Sequence, residues 1–289
     1  MTDLSSARRA TRIGLLAILL WSTLAVSTSA TGAVPPFLLT ALTFAMGGAV
    51  GLVAALRGPG LAVLRQPVSA WVHGVGGLFG YHFLYFTALK LAPPAEAGLI
   101  CYLWPLLIVL LSATLPGQKL RAVQVAGALL GLLGVIALFT GKGLSGFSAQ
   151  ALPGYLAALA AAFIWAIYSV GSRTFGQVPT EAVAGFCLGT ALLSALCHLA
   201  SETTIWPAGP QEWLAVALLG IGPVGAAFYA WDIGMKRGDV RFLGVASYAA
   251  PALSTLLLVA AGYAEPRWTL ALACLLIIGG AGLAARPAR

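Results

Sequence analysis

The chain consists mainly of apolar stretches that are long enough to cross a lipid bilayer. A bilayer core about 30 Å thick needs about 20 helical residues at a rise of about 1.5 Å per residue. Charged residues make up only 8% of the 289 residues, and the segments between the stretches are too short for a soluble domain. We therefore expect an all-α polytopic membrane protein with ten transmembrane helices. The ten stretches comprise residues 13–30, 35–56, 68–89, 94–115, 122–140, 150–172, 181–200, 213–235, 240–262 and 268–285.

Basic residues indicate how these spans are oriented, because Lys and Arg beside short loops stay in the cytoplasm. With ten spans, thirteen of the sixteen basic residues fall on one face of the membrane. We expect both termini on that cytoplasmic face, and the net charge of +8 then reflects orientation and not a nucleic-acid surface. The cytoplasmic set is Arg8, Arg9, Arg12, Arg57, Arg65, Lys119, Arg121, Arg173, Lys236, Arg237, Arg241, Arg286 and Arg289, and the opposite set is Lys90, Lys142 and Arg267.

The first stretch also has features of a secretory signal peptide. Arg8, Arg9 and Arg12 precede an apolar run that ends in small residues near Ala30. That run is at the long end for a signal peptide, and its removal would break the repeat described next. We therefore favour a first transmembrane span.

The two halves of the chain resemble each other. Residues 74–111 align without a gap on residues 220–257, at an offset of 146. In a chain rich in Ala, Leu and Gly, the most informative identities are Lys90/Lys236, Tyr102/Tyr248 and Pro105/Pro251, and Trp21/Trp165 is a near match at an offset of 144.

This repeat divides the chain into residues 1–145 and 146–289, each with five spans. An odd number of spans turns the second copy upside down relative to the first. Inverted repeats are typical of secondary transporters, in which the substrate site lies near the bilayer midplane where the repeats meet. The pattern favours a small-molecule carrier that works by alternating access over an enzyme or a scaffold.

Two prolines lie near the middle of spans four and nine. Pro105 and Pro251 each remove the helical hydrogen bond to the carbonyl four residues earlier, which frees the carbonyls of Cys101 and Ser247. Such backbone must face protein or a watery cavity within a membrane. Two interpretations remain open: a kink that only improves helix packing, and a kink that also lines a cavity and takes part in gating.

Aromatic residues cluster at a similar depth in several spans. They lie too deep for the interfacial belt in which Trp and Tyr are common. Core filling would explain any one of them, but as a set we expect them to line a central pocket whose polar edges orient a ligand. The set is Trp21, Tyr81, Tyr85, Tyr102, Trp104, Trp165, Tyr168 and Tyr248.

Ionisable residues are scarce at the membrane midplane. Asp232 precedes Lys236 by four residues, a favourable helical spacing, so we expect an interfacial salt bridge, with a gating role as the alternative. His82 is either a neutral histidine bonded to a carbonyl or a contact for substrate or a proton. The four cysteines, at unrelated spacings within spans, predict neither a disulfide framework nor a metal site. We expect no cofactor.

The motifs resemble those of a known family. The run Ala97–Pro105 (AGLICYLWP) and its counterpart Gly244–Pro251 (GVASYAAP) in two inverted halves are similar to the drug/metabolite transporter superfamily, in its EamA-type branch. The resemblance covers the whole chain. It implies a multi-pass protein of the bacterial inner membrane that exports aromatic and other apolar amino acids, or related metabolites, from the cytoplasm. The partners would be the substrate and the lipid bilayer, in a monomer or weak homodimer.

The substrate-binding residues expected on this basis join the aromatic set to His82 and Ser247. Ring faces would stack on a side chain or hold an ammonium group, and the carbonyls of Cys101 and Ser247 would take ammonium protons. Tyrosine hydroxyls or His82 would take the carboxylate.

Other functions fit less well. Export of lipophilic cationic drugs is the main alternative, but small multidrug carriers rely on a carboxylate in the first helix, which this first span lacks. A sugar-phosphate carrier needs basic residues that face the cavity, whereas Lys90 and Lys236 lie at span ends. An intramembrane hydrolase needs a nucleophile with a base or a metal cluster, and no deep constellation of His, Asp or Glu is present.

Overall fold

The computed structural model describes residues 4–117, 119–140, 148–260, 262 and 265–285, so Lys142, Arg286 and Arg289 lie outside the described residues. Within these ranges the protein is all-helical and has no strand, which confirms the all-α part of the expected fold class. Short 3₁₀ turns at Leu61–Leu64, Ser112–Thr114, Ala149–Ala151 and Thr180–Ala182 and a π-helical segment at Gly222–Ala226 interrupt or join the α-helices. The α-helices are α1 (Leu4–Ser22), α2 (Leu24–Ser29), α3 (Pro36–Leu56), α4 (Val68–Leu91), α5 (Pro94–Cys101), α6 (Trp104–Leu111), α7 (Ala122–Thr140), α8 (Leu152–Gly171), α9 (Val183–Ser201), α10 (Pro210–Ile221), α11 (Ala227–Arg237), α12 (Val240–Ala246), α13 (Ala249–Ala260) and α14 (Trp268–Ala284).

Many of these helices, singly or joined end to end, form segments that are long and apolar enough to cross a membrane. Among the described residues, eight helical segments meet both conditions, and they are Ser5–Ser29, Pro36–Leu56, Pro94–Thr114, Ala122–Thr140, Ala149–Gly171, Thr180–Ser201, Pro210–Arg237 and Val240–Ala260. Helix α14 is apolar but has only 17 residues. Helix α4 has 24 residues but is not one of the eight, because polar and glycine residues lower its mean hydropathy. The chain is therefore a multi-pass helical membrane protein.

Prolines mark the start of several helices. Pro36, Pro94 and Pro210 are the first residues of α3, α5 and α10. At this position the proline ring fixes φ near the helical value, and its missing N–H would have had no partner within the helix. These residues end the preceding loop without the loss of a hydrogen bond.

The helices pack in pairs, and small residues set the distance between them. The most extensive pairs are α7 with α14, α3 with α9, α4 with α8, and α1 with α11. Where α7 meets α14, a Cβ added to Gly280 would lie 2.5 Å from the Gly127 carbonyl oxygen. A Cβ added to the neighbouring Gly279 would have nothing within 4 Å. Helix α14 therefore presents one close-packed glycine and one exposed glycine side by side.

This contrast predicts opposite outcomes for two adjacent substitutions. Gly280→Ala forces the α7 and α14 backbones apart, so we expect a loss of about 1–3 kcal/mol of stability. Gly279→Ala adds a methyl group in open space and improves helix propensity by up to about 1 kcal/mol, so stability should hold or rise. Thermal unfolding of both variants in detergent measures the difference. Equal midpoints for the two variants would contradict the close contact.

Candidate functional site

A cavity of about 650 Å³ lies inside the helical bundle. Its wall combines both halves of the chain, from α1 to α7 on one side and from α8, α10, the π-helical segment, α11 and α13 on the other. The wall also includes Thr31 and Val34, which places one end of the cavity at the loop between α2 and α3. None of the described lining residues is Asp, Glu, Lys or Arg. The site is therefore aromatic and apolar, with hydroxyl and imidazole groups as its polar members.

Four tryptophans from different helices meet at the other end of the cavity, and we call them the indole cluster: Trp21, Trp104, Trp165 and Trp231. The ring centroids of Trp21 lie 6.4, 5.6 and 5.0 Å from those of Trp104, Trp165 and Trp231, respectively. Edge-to-face and tilted rings at these separations are favourable arrangements, worth about 0.5–1.5 kcal/mol per pair beyond area burial. The cluster joins α1, α6, α8 and α11 and separates the cavity from the far end of the bundle.

The indole N–H groups divide into two kinds. Trp21 Nε1 donates to the Pro223 carbonyl at 3.1 Å, and Trp231 Nε1 donates to Ser169 Oγ at 3.0 Å. Trp104 and Trp165 line the cavity, and neither indole N–H has an acceptor among the described residues. These two groups are hydrogen-bond donors that a ligand in the cavity can use.

Helix α4 contributes a polar and aromatic side of the wall. Tyr81 and Tyr85 have parallel rings with centroids 5.9 Å apart, and the Cys101 thiol lies 3.6 Å from Tyr81 Oη. His82 Nδ1 lies 2.7 Å from the Leu78 carbonyl oxygen. A carbonyl can only accept, so Nδ1 carries a proton, and Nε2 of the neutral ring is an acceptor. The histidine thus has the carbonyl partner expected of a structural residue, and it also lines the cavity.

The two helical segments Pro94–Thr114 and Val240–Ala260 are each interrupted by two residues. Helix α5 ends at Cys101 and α6 begins at Trp104, while α12 ends at Ala246 and α13 begins at Ala249. The Leu106 N–H, in the first turn of α6, donates to Tyr248 Oη at 3.1 Å. A residue at the second break thereby satisfies a backbone group freed at the first.

The expected site residues divide into two groups in the structure. Seven of them line the cavity: Trp21, Tyr81, His82, Tyr85, Tyr102, Trp104 and Trp165. Tyr168, Ser247 and Tyr248 are buried behind the wall. Tyr168 stacks on the His73 ring, and Ser247 Oγ donates to the Leu243 carbonyl at 2.7 Å. Of the two prolines, Pro251 lines the cavity and Pro105 does not.

Sequence reasoning missed several members of the wall. Phe44 and Phe228 stack with centroids 5.3 Å apart and line the cavity from opposite halves of the chain. The hydroxyl-bearing residues Thr43 and Thr255 also line it. Helical spacing could have predicted Thr255, because it is four residues after Pro251 and therefore on the same face of α13.

The end of the bundle beyond the indole cluster is held by a buried ion pair. Lys236 Nζ lies 2.9 Å from Asp232 Oδ2, as the spacing predicted, and both side chains are only 4% exposed, so the pair is buried within the protein. Thr180 donates to the same carboxylate, and Lys236 also donates to the Val178 carbonyl. The pair ties α11 to the segment that joins α8 and α9. A buried pair of this kind favours one arrangement over others more than it adds net stability.

Comparison with known proteins places this architecture in a family. The model of the EamA-like transporter family matches residues 11–140 and 152–286. The chain belongs to the EamA-like transporter family. It is a transporter and not an enzyme, as the resemblance implied. In the described residues, no group of three or more His, Cys, Asp or Glu could hold a metal ion.

Several proteins are similar to this chain over most of its length. The aromatic amino acid exporter YddG of Ancylobacter novellus is 68% identical over 98% of this chain and 99% of its own. The exporter of the same name from Salmonella typhimurium is 28% identical over 87% of this chain and 88% of its own. A crystal structure with 69% identity has a TM-score of 0.92, over 96% of this chain and 97% of that chain.

The contact between Tyr248 and Leu106 predicts how this family member responds to loss of one hydroxyl. Tyr248→Phe leaves a backbone N–H in the membrane interior without its partner, so we expect a loss of about 1–3 kcal/mol of stability. Tyr102→Phe removes a hydroxyl in the cavity wall and is the matched control, with little effect on stability. Thermal unfolding in detergent compares them. A smaller loss for Tyr248→Phe than for Tyr102→Phe would contradict the proposed bond.

Proposed function

We propose that the protein exports aromatic and other large apolar amino acids across the bacterial inner membrane by alternating access through the central cavity. The aromatic wall of the cavity is the observation that carries this proposal. Membership of the EamA-like transporter family supports transport, and the names of the relatives from Ancylobacter novellus and Salmonella typhimurium support the substrate class.

The cavity suits the side chain of such a substrate. Burial of apolar area contributes about 25 cal/mol per Å², and an aromatic ring in contact with the indole cluster gains about 0.5–1.5 kcal/mol more. A volume of about 650 Å³ falls within the range of pockets that hold small ligands. Large apolar side chains therefore gain more from this wall than small polar ones.

Polar groups on the wall suit the two charges of a zwitterion. The unpaired N–H groups of Trp104 and Trp165 can donate to the carboxylate. His82 Nε2 can accept from the ammonium group, and the ring faces can stabilise it by cation–π contact. The wall has no fixed charge among the described residues, which favours a ligand of zero net charge. An exporter of lipophilic cations would need a carboxylate there, so the same feature disfavours that alternative.

Ten spans in two inverted repeats are part of the proposal, and the helix packing supports them. We count α1 with α2, α5 with α6, α10 with α11, and α12 with α13 as single spans, and α4 and α14 as further spans. The pairs α7–α14 and α3–α9 then each join a span to its equivalent in the other half. The pairs α4–α8 and α1–α11 are equivalent to each other. A pseudo-twofold relationship between residues 1–145 and 146–289 requires this pattern.

Individual contacts between α7 and α14 are related by the same offset of 146 residues. Gly127 meets Gly280, and Gly134 meets Ala273, so that each contact is the equivalent of the other. The breaks at Tyr102 and Tyr248 are likewise equivalent. The family model also matches two segments of similar length. These relationships extend the sequence repeat beyond the aligned residues.

The position of the cavity suits one state of an alternating-access cycle. One end reaches the loop between α2 and α3, and the other is closed by the indole cluster and the Asp232–Lys236 pair. With the termini in the cytoplasm, this arrangement is open to the outer face. We propose that Pro105 and Pro251, beside the two breaks, support the movement to the opposite state.

Replacement of Trp104 tests the substrate class. Trp104→Ala removes a ring from the cavity wall, so flux of phenylalanine should fall roughly two- to tenfold more than flux of threonine. Liposomes with purified protein and labelled amino acids provide the measurement. Trp206→Ala, at a tryptophan 56% exposed and outside the wall, is the matched control.

Two outcomes would contradict this prediction. Equal losses for phenylalanine and threonine would make Trp104 a structural residue. Liposomes that move lipophilic cations but no amino acid would show that the proposed substrate class is wrong.

The orientation is tested by reporter fusions. The distribution of basic residues places the loop near Arg57 in the cytoplasm and the loop near Gly209 on the outer face. A reporter active only in the cytoplasm should work at Arg57 and after Arg289, and fail at Gly209. Activity at Gly209 would refute the ten-span topology.

A further inference from the structure

A second, smaller cleft lies beyond the indole cluster, and most of the charged residues that line it are arginines. It has a volume of about 270 Å³. Its lining includes Arg8 and Thr11 of α1, Arg173 after α8, and Asp239 and Arg241 at the start of α12. Three arginines from three parts of the chain and one aspartate therefore line the same cleft. We call this site the arginine cleft.

Existing contacts hold the arginines without neutralising them. Arg173 Nη1 donates to the Gly238 carbonyl at 2.7 Å, and Arg241 Nη1 donates to the Lys119 carbonyl at 2.8 Å. Arg8 is exposed and has no protein partner among the described residues. The remaining N–H groups of these side chains are available to an anion.

The one carboxylate in the cleft already has a structural role. Asp239 Oδ1 accepts from the backbone N–H groups of Arg241 and Phe242, at 3.1 and 3.0 Å, and so caps α12. Burial lowers the pKa of Arg173, the nearby Asp239 opposes that shift, and Arg241 adds a smaller effect in the same direction as burial. Arg173 and Arg241 are thus close enough to repel each other. A bound anion would relieve that repulsion.

The cleft lies along the same helices as the closed end of the main cavity. The indole cluster joins α1, α6, α8 and α11, and the arginine cleft is lined by the same helices or by the segments that end them. Along α1, Trp21 and Thr11 are ten residues apart, which corresponds to about 15 Å. On the proposed topology, the cleft lies on the cytoplasmic face, where the closed end of the cavity must open.

We propose that the arginine cleft is a cytoplasmic binding site for the carboxylate of the amino acid substrate, occupied before the inner end of the cavity opens. This inference rests on the proposed function. The described wall of the main cavity holds no Arg or Lys, and Lys236 at its closed end is paired with Asp232, so these arginines are the cations that can distinguish an amino acid from an apolar compound without a carboxylate. The cleft lies in line with the cavity, which favours a soluble carboxylate over the phosphate of a lipid headgroup.

Transport from the cytoplasmic face tests the cleft. Proteoliposomes sorted for that face outward would be given labelled phenylalanine or phenylalaninamide, which keeps the ring and the ammonium group but lacks the carboxylate. Arg8→Gln and Arg173→Gln should each raise KM for phenylalanine roughly two- to fivefold, with kcat unchanged, because each removes one attractive charge. KM for phenylalaninamide should not rise. Arg173→Lys should have a KM for phenylalanine close to the wild-type value, because the positive charge is kept.

Matched controls separate this effect from general loss of charge or folding. Arg57→Gln removes an exposed cation on the same predicted face but outside the cleft, and its KM should stay at the wild-type value. Higher ionic strength should raise KM for phenylalanine in the wild type and less in Arg8→Gln, because salt screens exposed charges.

Each alternative has its own outcome. Wild-type flux with unchanged KM in both glutamine variants, or an equal rise in KM for the amide, would overturn this inference and leave the proposed function intact. An effect present with phosphatidylglycerol and absent with phosphatidylcholine alone would identify the cleft as a lipid headgroup site and also overturn it. Wild-type protein that moves no amino acid would overturn both proposals.

Discussion

Backbone hydrogen bonding in a dry environment is the constraint on which this structure depends. A helix can be broken inside a membrane only where other groups satisfy its freed N–H and carbonyl groups. At the break before α6, Tyr248 supplies that group by accepting from the Leu106 N–H, across 142 residues of sequence. At the second break the Ala250 N–H donates to the Ser247 carbonyl at 3.1 Å, so the carbonyl four residues before Pro251 has a partner while Pro251 itself lines the cavity. An aromatic site at this depth can therefore form only if the freed backbone groups around it have hydrogen-bond partners.

The same constraint explains why aromatic side chains dominate the site. Tryptophan and tyrosine combine a large apolar face with one polar edge, so they can line a pocket within a bilayer and still offer a few directed hydrogen bonds. Within the indole cluster, Trp21 donates its N–H to the Pro223 carbonyl and Trp231 donates its N–H to Ser169. The cluster holds four helices together. The indole N–H groups of Trp104 and Trp165 remain available to a ligand in the cavity. In the proposed function, tryptophan therefore supplies both the group that closes one end of the cavity and part of the surface that contacts the ligand.

Much of this organisation could be predicted from the sequence, and the remainder depends on how each helix is rotated. Apolar length predicted the helical fold, the depth of the aromatic residues predicted six members of the wall, and the search for ionisable groups at that depth predicted His82. Depth does not determine the direction of a side chain around its helix, so Tyr168 and Tyr248 were expected in the cavity but lie behind it. Phe44 and Phe228 were missed because phenylalanine is common in any apolar span and only their contact at 5.3 Å distinguishes them. Helix α4 shows the same limitation, since the polar residues that build the wall also reduce its mean hydropathy.

The two ends of the proposed transport path close by different chemistry, although the halves are related by sequence. Lys236 is buried with Asp232 and the Val178 carbonyl, whereas its equivalent Lys90 is exposed, 5.7 Å above the ring of Phe37. At the offset of 146, the position of Asp232 corresponds to Phe86, which lines the open part of the cavity. A buried ion pair requires a closely defined geometry to offset the cost of desolvation, while apolar surfaces tolerate many arrangements. On the proposed repeat, the cytoplasmic end is therefore fixed in one closed geometry by charge, and the outer end closes by apolar contact that a bound side chain can adjust.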